Sequence, residues 1–263
     1  MSQTSNKRKT ININADVGES FGHYSMGNDS ELIPLIESAN IACGMHAGDP
    51  CTMSKTVQMA VSNDKSIGAH PGFDDRWGFG RRQIRMRPDD LELLVIYQIG
   101  ALQAIAGLHG GVVTHVKPHG ALNNMAHDDT DYAMAISRAI KAIDCDLVFV
   151  ANVGSAMQRI GEKLGLRIAR ESYIDRMYDD NGKMLARDNP KSMIRDPAKA
   201  VDHVLGIIQD EAITSISGNK IPASVETFCV HGDEPTSIEV TRAVRMALIG
   251  VGFDIVPIPQ LDH

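Results

Sequence analysis

The sequence predicts one α/β domain built as a parallel barrel, and three observations support this prediction. Short runs with strand composition alternate with amphipathic stretches along most of the chain. The alternation repeats seven or eight times, which indicates a single parallel sheet. The length of 263 residues is close to the roughly 250 residues of a (β/α)8 barrel, so a closed, TIM-like barrel is favoured over a doubly wound open sheet.

The predicted strands are short runs of apolar and β-branched residues. In chain order they are Ile11–Ala15, Ser38–Ala42, Ser66–Ala69, Val112–Val116, Leu147–Ala151, Arg167–Arg170, Val225–Val230 and Asp254–Ile258.

The predicted helices lie between these strands. The first has apolar residues at helical spacing from Leu32 to Ala39, and Asn28 with Glu31 resembles a capping box at its start. Proline suits the first turn of a helix, and three later helices are predicted to begin near a proline. These prolines are Pro88, Pro197 and Pro235.

Residues 11–263 are predicted to form a single domain behind a polar leader of residues 1–10. The leader is basic but no apolar run follows it, so it does not resemble a secretory signal. The strand–helix pattern lapses between about residues 172 and 196, where Asp180–Lys183 has the composition of a hairpin turn. This excursion is interpreted as a lid over the barrel mouth or as a plain surface hairpin.

Composition excludes several classes of function. A formal net charge of −7 provides no basic surface for nucleic acid or for an anionic membrane. No run of 18 or more apolar residues is present, so no membrane-spanning helix is expected. The four cysteines show no CxxC or zinc-ribbon spacing, and we expect them to be reduced thiols of a cytoplasmic protein.

Four histidines occupy the same position in the pattern, directly after a strand and before a helix. They are His46, His70, His119 and His231, and a glycine or proline lies close to each of them. The carboxyl ends of barrel strands converge on one mouth, so these side chains are predicted to meet there and to act in catalysis. One such histidine alone is more often a hydrogen-bonded packing residue, but four at equivalent positions favour a functional site.

The first strand carries polar residues on alternate positions, Asn12, Asn14 and Asp16, which places them on one face. In a barrel we expect that face to look into the mouth. Asp16 and Glu19 are the candidates for a general base or a metal ligand. The alternative for this pair is an aspartate that stabilises a turn and a glutamate at a helix N-terminus.

Further charged residues are predicted to bind substrate or phosphate at the same mouth. Lys117 lies at a strand end, and Arg81 belongs to a Gly78–Arg82 stretch whose planar cations suit carboxylate or phosphate. Asp49 and Asp233 lie next to or near a proline, where capping of a helix is the competing interpretation. Glu171 and Arg176, with Asp175 and Tyr178 nearby, add polar groups that could equally belong to a solvated loop.

Several cofactor and catalytic motifs are absent from the sequence. There is no GxxxxGK[ST] phosphate loop, no dinucleotide-binding GxGxxG, no GxSxG nucleophile elbow and no HExxH metal motif. We therefore expect no nicotinamide, flavin or PLP cofactor, and any use of ATP must do without a recognisable P-loop.

The order of the motifs resembles the LamB/YcsF (lactam-utilisation) family over about residues 11 to 257. The residues that carry the resemblance are Asn14–Glu19, Ser38–Asp49, Gly68–Pro71, Phe79–Arg81, Tyr97–Leu102, His115–Leu122, Asp175 and Arg176 with Tyr178, and Cys229–Asp233. The resemblance implies an irregular barrel of seven strands, related to the glycoside hydrolase and polysaccharide deacetylase superfamily. That puts the predicted eighth strand in doubt.

The resemblance also implies an activity, a cofactor and partners. The activity is hydrolysis of 5-oxo-L-proline to L-glutamate by an ATP-dependent 5-oxoprolinase, with ATP and Mg²⁺ as cofactors and separate B and C subunits as partners. In that reaction we expect cationic contacts from Lys117 and Arg81, a general base in Asp16 or Glu19, and proton transfer by the four strand-end histidines. Other substrate- or phosphate-binding candidates are Asn14, Asp49, Glu171, Arg176 and Asp233.

Two alternatives stay open from the sequence. One is an ATP-independent, metal-dependent amide hydrolase or deacetylase, for which Asp16, His46 and His119 form a feasible ligand set. The other is a non-catalytic subunit that binds the substrate while its partners carry out the chemistry. Fold alone does not decide between them.

Overall fold

The computed structural model describes residues 9–262 and contains a closed barrel of seven parallel strands with helices around it. The strand order around the barrel is β1-β2-β3-β4-β5-β6-β9, and β9 returns to β1. The barrel strands are β1 (Thr10–Val17), β2 (Ser38–Ala42), β3 (Ser66–His70), β4 (Val113–Val116), β5 (Val148–Asn152), β6 (Ile168–Tyr173) and β9 (Thr227–His231). Most of the predicted polar leader, residues 1–8, lies outside the described residues.

Closure depends on β9, which pairs in parallel with β6 on one side and with β1 on the other. Because all seven strands run in the same direction, their carboxyl ends open at one mouth. The predicted TIM-like barrel is thus confirmed, with seven strands. The eighth predicted strand, β10 (Asp254–Ile255), pairs only with the first two residues of β1 and takes no part in closure.

The helices lie outside the strands. They are α1 (Asp29–Leu32), α2 (Pro50–Ser62), α3 (Pro88–Leu108), α4 (Gly120–Ala126), α5 (Thr130–Ile143), α6 (Ala156–Lys163), α7 (Pro197–Asp210) and α8 (Ser237–Gly250), with three short 3-10 helices at Ile33–Leu35, Arg76–Gly78 and Ile258–Gln260. Pro88 and Pro197 occupy the first helical positions, as the sequence indicates.

The first predicted helix is shorter than expected. It ends in a 3-10 turn at Leu35, Ile36 is extended, and Ala39 belongs to β2. Pro34, which has no N–H to continue the helical hydrogen bonds, lies in this turn. The predicted capping box is also wrong, because the side-chain amide of Asn28 donates to Glu31 Oε1 at 2.8 Å and caps no backbone N–H.

The excursion after β6 contains a backbone turn, and a short hairpin packs beside it. The Asp179 and Lys183 backbones pair across the predicted turn at 2.8 Å, and Tyr178 forms an antiparallel bridge to Met184. A short antiparallel hairpin, β7 (Ala212–Thr214) with β8 (Lys220–Pro222), packs beside it and was not predicted. Three-residue strands are too short to show a periodicity in sequence.

The amino end of the barrel interior is filled by the C-terminal segment. Phe149 packs outward toward α6, so Val148 and Val150 point inward. There they form an apolar cluster with Ala169, Ile258 and Leu261. Within residues 9–262, these apolar side chains therefore plug the amino end of the barrel.

Among the described residues, α3 alone is long and apolar enough to cross a membrane by length and composition. The sequence-based expectation used a stricter criterion, an unbroken run of 18 apolar residues, which α3 does not contain because Glu92, Gln98 and Gln103 interrupt it. In the structure, however, Leu91, Val95, Ile99 and Leu102 of α3 are buried in the main core, and α5 is a direct neighbour of the helix. The apolar character of α3 thus serves, on this face, to pack the helix against the barrel.

We predict that Ile258→Ala destabilises the protein by about 2–5 kcal/mol, because it leaves a cavity in the interior plug. Ile249→Ala is the matched control, since Ile249 on α8 is 54% exposed and its truncation should change stability by less than about 0.5 kcal/mol. Urea denaturation measures both. If the free energy of unfolding fell equally in the two variants, burial of Ile258 in the plug would add no more stability than an exposed side chain does.

Candidate functional site

The barrel interior above the apolar plug is polar, and its side chains are hydrogen-bonded to one another. The amide of Asn14 donates to Thr227 Oγ1 at 2.7 Å and to Glu171 Oε1 at 3.1 Å. The amide of Asn40 donates to Asn14 Oδ1 at 2.6 Å and to Asp16 Oδ1 at 2.9 Å. The alternation of polar residues on β1 therefore places them inside the barrel, as predicted.

Lys117 lies at the centre of this interior and is almost fully buried. Its Nζ is 2.8 Å from Asp16 Oδ1, 3.1 Å from Glu171 Oε1 and 2.7 Å from Cys229 Sγ. Burial alone would lower the pKa of Lys117, but the electrostatic effects of Asp16, Cys229 and Glu171 together outweigh burial, and the pKa lies well above its usual value. The residue is thus a permanent cation beneath the mouth.

Asp16 is the main partner of this cation. Burial would raise the pKa of Asp16, yet the charges of His70 and Lys117 hold it well below the usual range, so the carboxylate stays ionised. Its second oxygen, Oδ2, lies 3.3 Å from His70 Nε2. Glu171 differs, because burial dominates and raises its pKa despite Lys117. The two carboxylates beside Lys117 therefore have unequal affinity for a proton.

Three of the strand-end histidines and Glu19 form a buried cluster on the β1–β4 side of the mouth, hereafter the histidine cluster. His70 Nε2 is 3.0 Å from His119 Nδ1, and Glu19 Oε1 is 3.3 Å from His46 Nε2 and 3.4 Å from His119 Nδ1. The His46 and His119 rings stack with centroids 3.6 Å apart. One ligand atom from each of the four residues lies within 4.8 Å of the others, which makes this cluster a candidate metal centre.

The charge states of the cluster follow from burial. Burial, reinforced by the charge of His70, lowers the pKa values of His46 and His119 well below the usual range, so both rings are neutral. Burial and the charge of Asp16 raise the pKa of Glu19 well above its usual value.

The backbones of Gly72 and Gly80 lie in close contact with the rings of the histidine cluster. A Cβ at Gly72 would lie 2.7 Å from His46 Nδ1, and a Cβ at Gly80 would lie 2.7 Å from His46 Cβ and 2.8 Å from His119 Cδ2. Gly80 also has a φ of +63°, which side-chain-bearing residues rarely adopt. The glycines beside the predicted histidines thus allow the close approach that fixes the rings.

His231 lies apart from the histidine cluster, on the β6–β9 side of the mouth. Its Nδ1 is 3.0 Å from both carboxylate oxygens of Asp175, and its ring stacks on Tyr173. Burial would raise the pKa of Asp175, but the charge of His231 and hydrogen bonds from it lower the value, so Asp175 is ionised. An ionised carboxylate on Nδ1–H leaves the His231 Nε2 as the nitrogen available for proton transfer.

A cavity of about 370 Å³ opens at the mouth between these groups. Asp16, His70, Lys117, His119 and His231 line its base and sides, and cationic side chains line its outer part. These cations are Arg81, Arg176, Lys183 and Arg187, of which the last three come from the excursion. A small anionic ligand would therefore find positive charge at the rim and proton-transfer groups inside.

Several of these cations already have acidic partners. Arg81 pairs with Asp233 at 2.7 Å, and Arg187 pairs with Glu234 at 3.3 Å. Arg176 is buried, and its Nε has no hydrogen-bond partner within residues 9–262. That N–H is thus the least satisfied donor of the rim.

The predicted site residues fall into two groups. Seven of them line the cavity: Asp16, His70, Arg81, Lys117, His119, Arg176 and His231. The other six lie outside its lining: Asn14, Glu19, His46, Asp49, Glu171 and Asp233. Of this second group, all but Asp49 contact either a lining residue or a direct neighbour of one.

Asp49 corrects the prediction of a binding role, because the helix-capping alternative is the one observed. Its carboxylate caps α2 by accepting hydrogen bonds from the backbone N–H groups of Cys51 and Thr52, and it also accepts from Gly22. These bonds lower the pKa of Asp49 to about 2. Both carboxylate oxygens of Asp49 thus accept hydrogen bonds within the protein, and the residue does not line the cavity.

The set of metal ligands expected from the sequence, Asp16, His46 and His119, is also revised. Asp16 Oδ1 is occupied by Lys117 and Asn40, whereas Glu19 and His70 join His46 and His119 in the cluster.

Sequence reasoning missed several residues of the site, including Asp175, Arg187 and Asn152. Asp175 was noted only as a polar neighbour, although it holds His231. Arg187, on the excursion, and Asn152, at the end of β5, both line the cavity. Asn152 follows a strand in the way the histidines do, so its position was a usable signal, while nothing local distinguishes Arg187 from a surface arginine.

Comparison with known proteins adds to this geometry. Residues 11–263 match the family described as the LamB/YcsF family. A Methylococcus capsulatus protein, named as the A subunit of 5-oxoprolinase, is 47% identical over 247 residues, covering 94% of this chain and 95% of the relative. A Nitrobacter hamburgensis protein of the same name is 49% identical over 249 residues, covering 94% and 98%.

Solved structures give the same picture of the fold. The crystal structure of a lactam utilization protein from Thermus thermophilus matches with a TM-score of 0.88 and 38% identity over 94% of this chain and 99% of that chain. The catalytic domain of a peptidoglycan N-acetylglucosamine deacetylase from Eubacterium rectale matches with a TM-score of 0.53 at 9% identity, covering 98% and 92%. At that identity only the barrel fold is shared.

We predict that Lys117→Met destabilises the protein by about 3–5 kcal/mol, since it leaves the buried Asp16 carboxylate without its ammonium partner. Lys220→Met is the control, because the Lys220–Asp210 pair is exposed and should contribute at most about 1 kcal/mol. Urea denaturation of both variants at neutral pH gives the comparison. A Lys117→Met variant as stable as its control would contradict the central role of this cation.

Proposed function

This chain belongs to the LamB/YcsF family, and we propose that it acts as the A subunit of an ATP-dependent 5-oxoprolinase, hydrolysing 5-oxo-L-proline to L-glutamate with partner subunits. The observation that carries the proposal is similarity along the whole chain. Eight relatives named as the A subunit of 5-oxoprolinase are 43–49% identical over 94–96% of this chain and 95–99% of their own length.

The cavity suits this substrate class in size and charge. A five-membered lactam with one carboxylate is a small anion, and the cavity of about 370 Å³ lies in the lower part of the range for ligand sites. Arg176 offers an unpaired N–H, and Arg81 and Arg187 lie around it. Guanidinium groups recognise carboxylate and phosphate through paired hydrogen bonds. We propose that these three arginines hold the anionic groups of the bound substrate.

Opening the ring is the chemical difficulty, because an unstrained amide resists attack by water. ATP with Mg²⁺ would supply a phosphoryl group that activates the lactam oxygen. The arginine rim fits a phosphoryl group by charge, but residues 9–262 contain no P-loop that would hold a nucleotide. We therefore propose that ATP dependence belongs to the complex, with this chain providing the site of ring opening.

In the proposed reaction, proton transfer and charge stabilisation are carried out by different residues of the mouth. We propose that His231, oriented by Asp175, takes the proton of the attacking water or returns one to the ring nitrogen through Nε2. Asp16 and Lys117 form a fixed ion pair below the reacting atoms, where they can stabilise developing charge without rearranging. The histidine cluster lies across the cavity from His231, and His70 and His119 face the ligand from that side.

The proposed setting of the reaction is a complex in the cytoplasm. The name of the relatives implies further subunits, and we propose the B and C subunits of the 5-oxoprolinase complex as partners. All four cysteines are free, which suits a reducing compartment.

Reconstitution tests the function directly. We expect glutamate and ADP to form together when this chain, candidate B and C subunits, ATP, Mg²⁺ and 5-oxoproline are combined, and glutamate release to stop when this chain is left out. Glutamate release by the partners alone would reduce this chain to a binding subunit. Turnover by this chain without ATP would instead support the ATP-independent amide hydrolase.

Within the reconstituted complex, His231→Gln should lower kcat by about 10²- to 10⁴-fold with a smaller change in KM, since it removes a proton-transfer group and keeps the fold. His109→Gln is the control, because His109 follows the C-terminus of α3 and bonds to Ser54, away from the mouth. Steady-state glutamate release measures both variants. An unchanged kcat for His231→Gln would remove His231 from the mechanism.

A further inference from the structure

We infer that Glu19, His46, His70 and His119 form a binding site for one first-row divalent transition-metal ion of the Zn²⁺ type. The four residues come from the ends of β1, β2, β3 and β4, and all four are buried. One nitrogen or oxygen from each lies within 4.8 Å of the others. One ion at the mouth of the barrel could therefore be bound by all four residues.

The hydrogen bonds of His70 and His119 to backbone carbonyls leave one ring nitrogen of each residue facing the other. His70 Nδ1 lies 2.7 Å from the Lys117 carbonyl oxygen, and His119 Nε2 lies 2.8 Å from the Phe79 carbonyl oxygen. Because a carbonyl only accepts, each of these nitrogens must carry the hydrogen. The other two nitrogens, His70 Nε2 and His119 Nδ1, then face each other 3.0 Å apart, so both are placed to bind one cation.

The surroundings of this contact supply further acceptors. Asp16 Oδ2 lies 3.3 Å from His70 Nε2, and Glu19 Oε1 lies 3.4 Å from His119 Nδ1. Two ring nitrogens and two carboxylate oxygens thus lie around one buried space, and all four are atoms that can bind a cation. The pattern in which the distal ring nitrogen donates to a backbone carbonyl is the one that orients metal-ligating histidines in proteins.

His46 completes the set through its Nε2, which lies 3.3 Å from Glu19 Oε1. Its Nδ1 has no hydrogen-bond partner in the described residues and is covered by the backbone of Gly72. The ring is therefore held by packing between glycine backbones, with Nε2 directed at the cluster. Ligation requires the rings of His46 and His119, which are stacked with centroids 3.6 Å apart, to tilt toward a shared ion.

The donor set identifies the class of ion. Three imidazole nitrogens and one carboxylate suit Zn²⁺ and neighbouring first-row ions, whereas Mg²⁺ prefers oxygen ligands and keeps several waters. This selectivity separates the proposed ion from the Mg²⁺ that accompanies ATP. Because His70 and His119 line the cavity, the ion would lie in its wall, next to a bound ligand.

The inference rests on the proposed function only for the role of the ion, since binding can be measured without turnover. The full chain is purified, stripped with a chelator and titrated separately with Zn²⁺, Co²⁺ and Mg²⁺, with metal analysis of the product. We expect about one Zn²⁺ per chain, a Co²⁺ absorption spectrum typical of histidine ligation, and no comparable uptake of Mg²⁺.

Variants locate the site. Glu19→Gln and His119→Gln should each weaken Zn²⁺ binding by more than about 100-fold, because loss of even an outer-shell partner costs 10- to 100-fold. His231→Gln is the matched control in the same mouth and should keep the ion even though it loses turnover. Circular dichroism verifies that each variant is folded, and Glu19→Gln provides the milder change if His119→Gln is not.

The outcomes separate the two proposals. A folded chain that takes up neither Zn²⁺ nor Co²⁺, or variants that bind as tightly as the parent, would overturn the metal site and leave a proton shared between His70 and His119. Metal uptake without 5-oxoprolinase activity in the reconstituted complex would keep the site and overturn the proposed function.

Discussion

The rest of this mouth depends on one interaction, the ion pair between the buried ammonium group of Lys117 and its carboxylate partner Asp16. Without it, the charge of the buried Asp16 carboxylate would lose its ammonium partner, in an interior otherwise lined by Glu171 and side-chain amides. The charges of His70 and Lys117 together keep Asp16 ionised. Asp16 in turn contacts His70 and adds to the burial that raises the pKa of Glu19. A charge pair taken out of water is stabilising only when its remaining hydrogen bonds are satisfied, and Asn40 provides one of them to Asp16.

Two chemically different groups face each other across this ion pair. On the β1–β4 side, the histidine cluster is rigid, neutral at His46 and His119, and tightly packed against glycine backbones. On the β6–β9 side, His231 is more accessible and is oriented by one ionised carboxylate. The first arrangement suits binding of a cation, and the second suits movement of a proton. Because His70, His119 and His231 all line the cavity, a ligand bound there can reach both groups.

The two ends of the barrel differ in polarity: the amino end is apolar and the mouth is charged. The C-terminal segment fills the amino end with Ile258 and Leu261, and polar layers follow toward the mouth. The excursion after β6 then adds Lys183 and Arg187 to the open end, and the acidic Asp233 and Glu234 pair with the arginines of the rim. Charge is thus concentrated where solvent and substrate enter, and apolar side chains are concentrated where neither does.

Much of this architecture was determined by the sequence alone. The eight strand runs and the positions of the strand-end histidines are local patterns, and parallel closure obliges strand ends to converge whatever the intervening helices do. Only the tertiary structure decided which convergent groups touch: it separated His231 from the other three histidines, paired it with Asp175, and assigned Asp49 to a helix cap. The reason is that periodicity fixes the face and the end of a strand on which a side chain lies. Its partner depends on distances of a few ångströms between elements far apart in the chain, and these are set by packing.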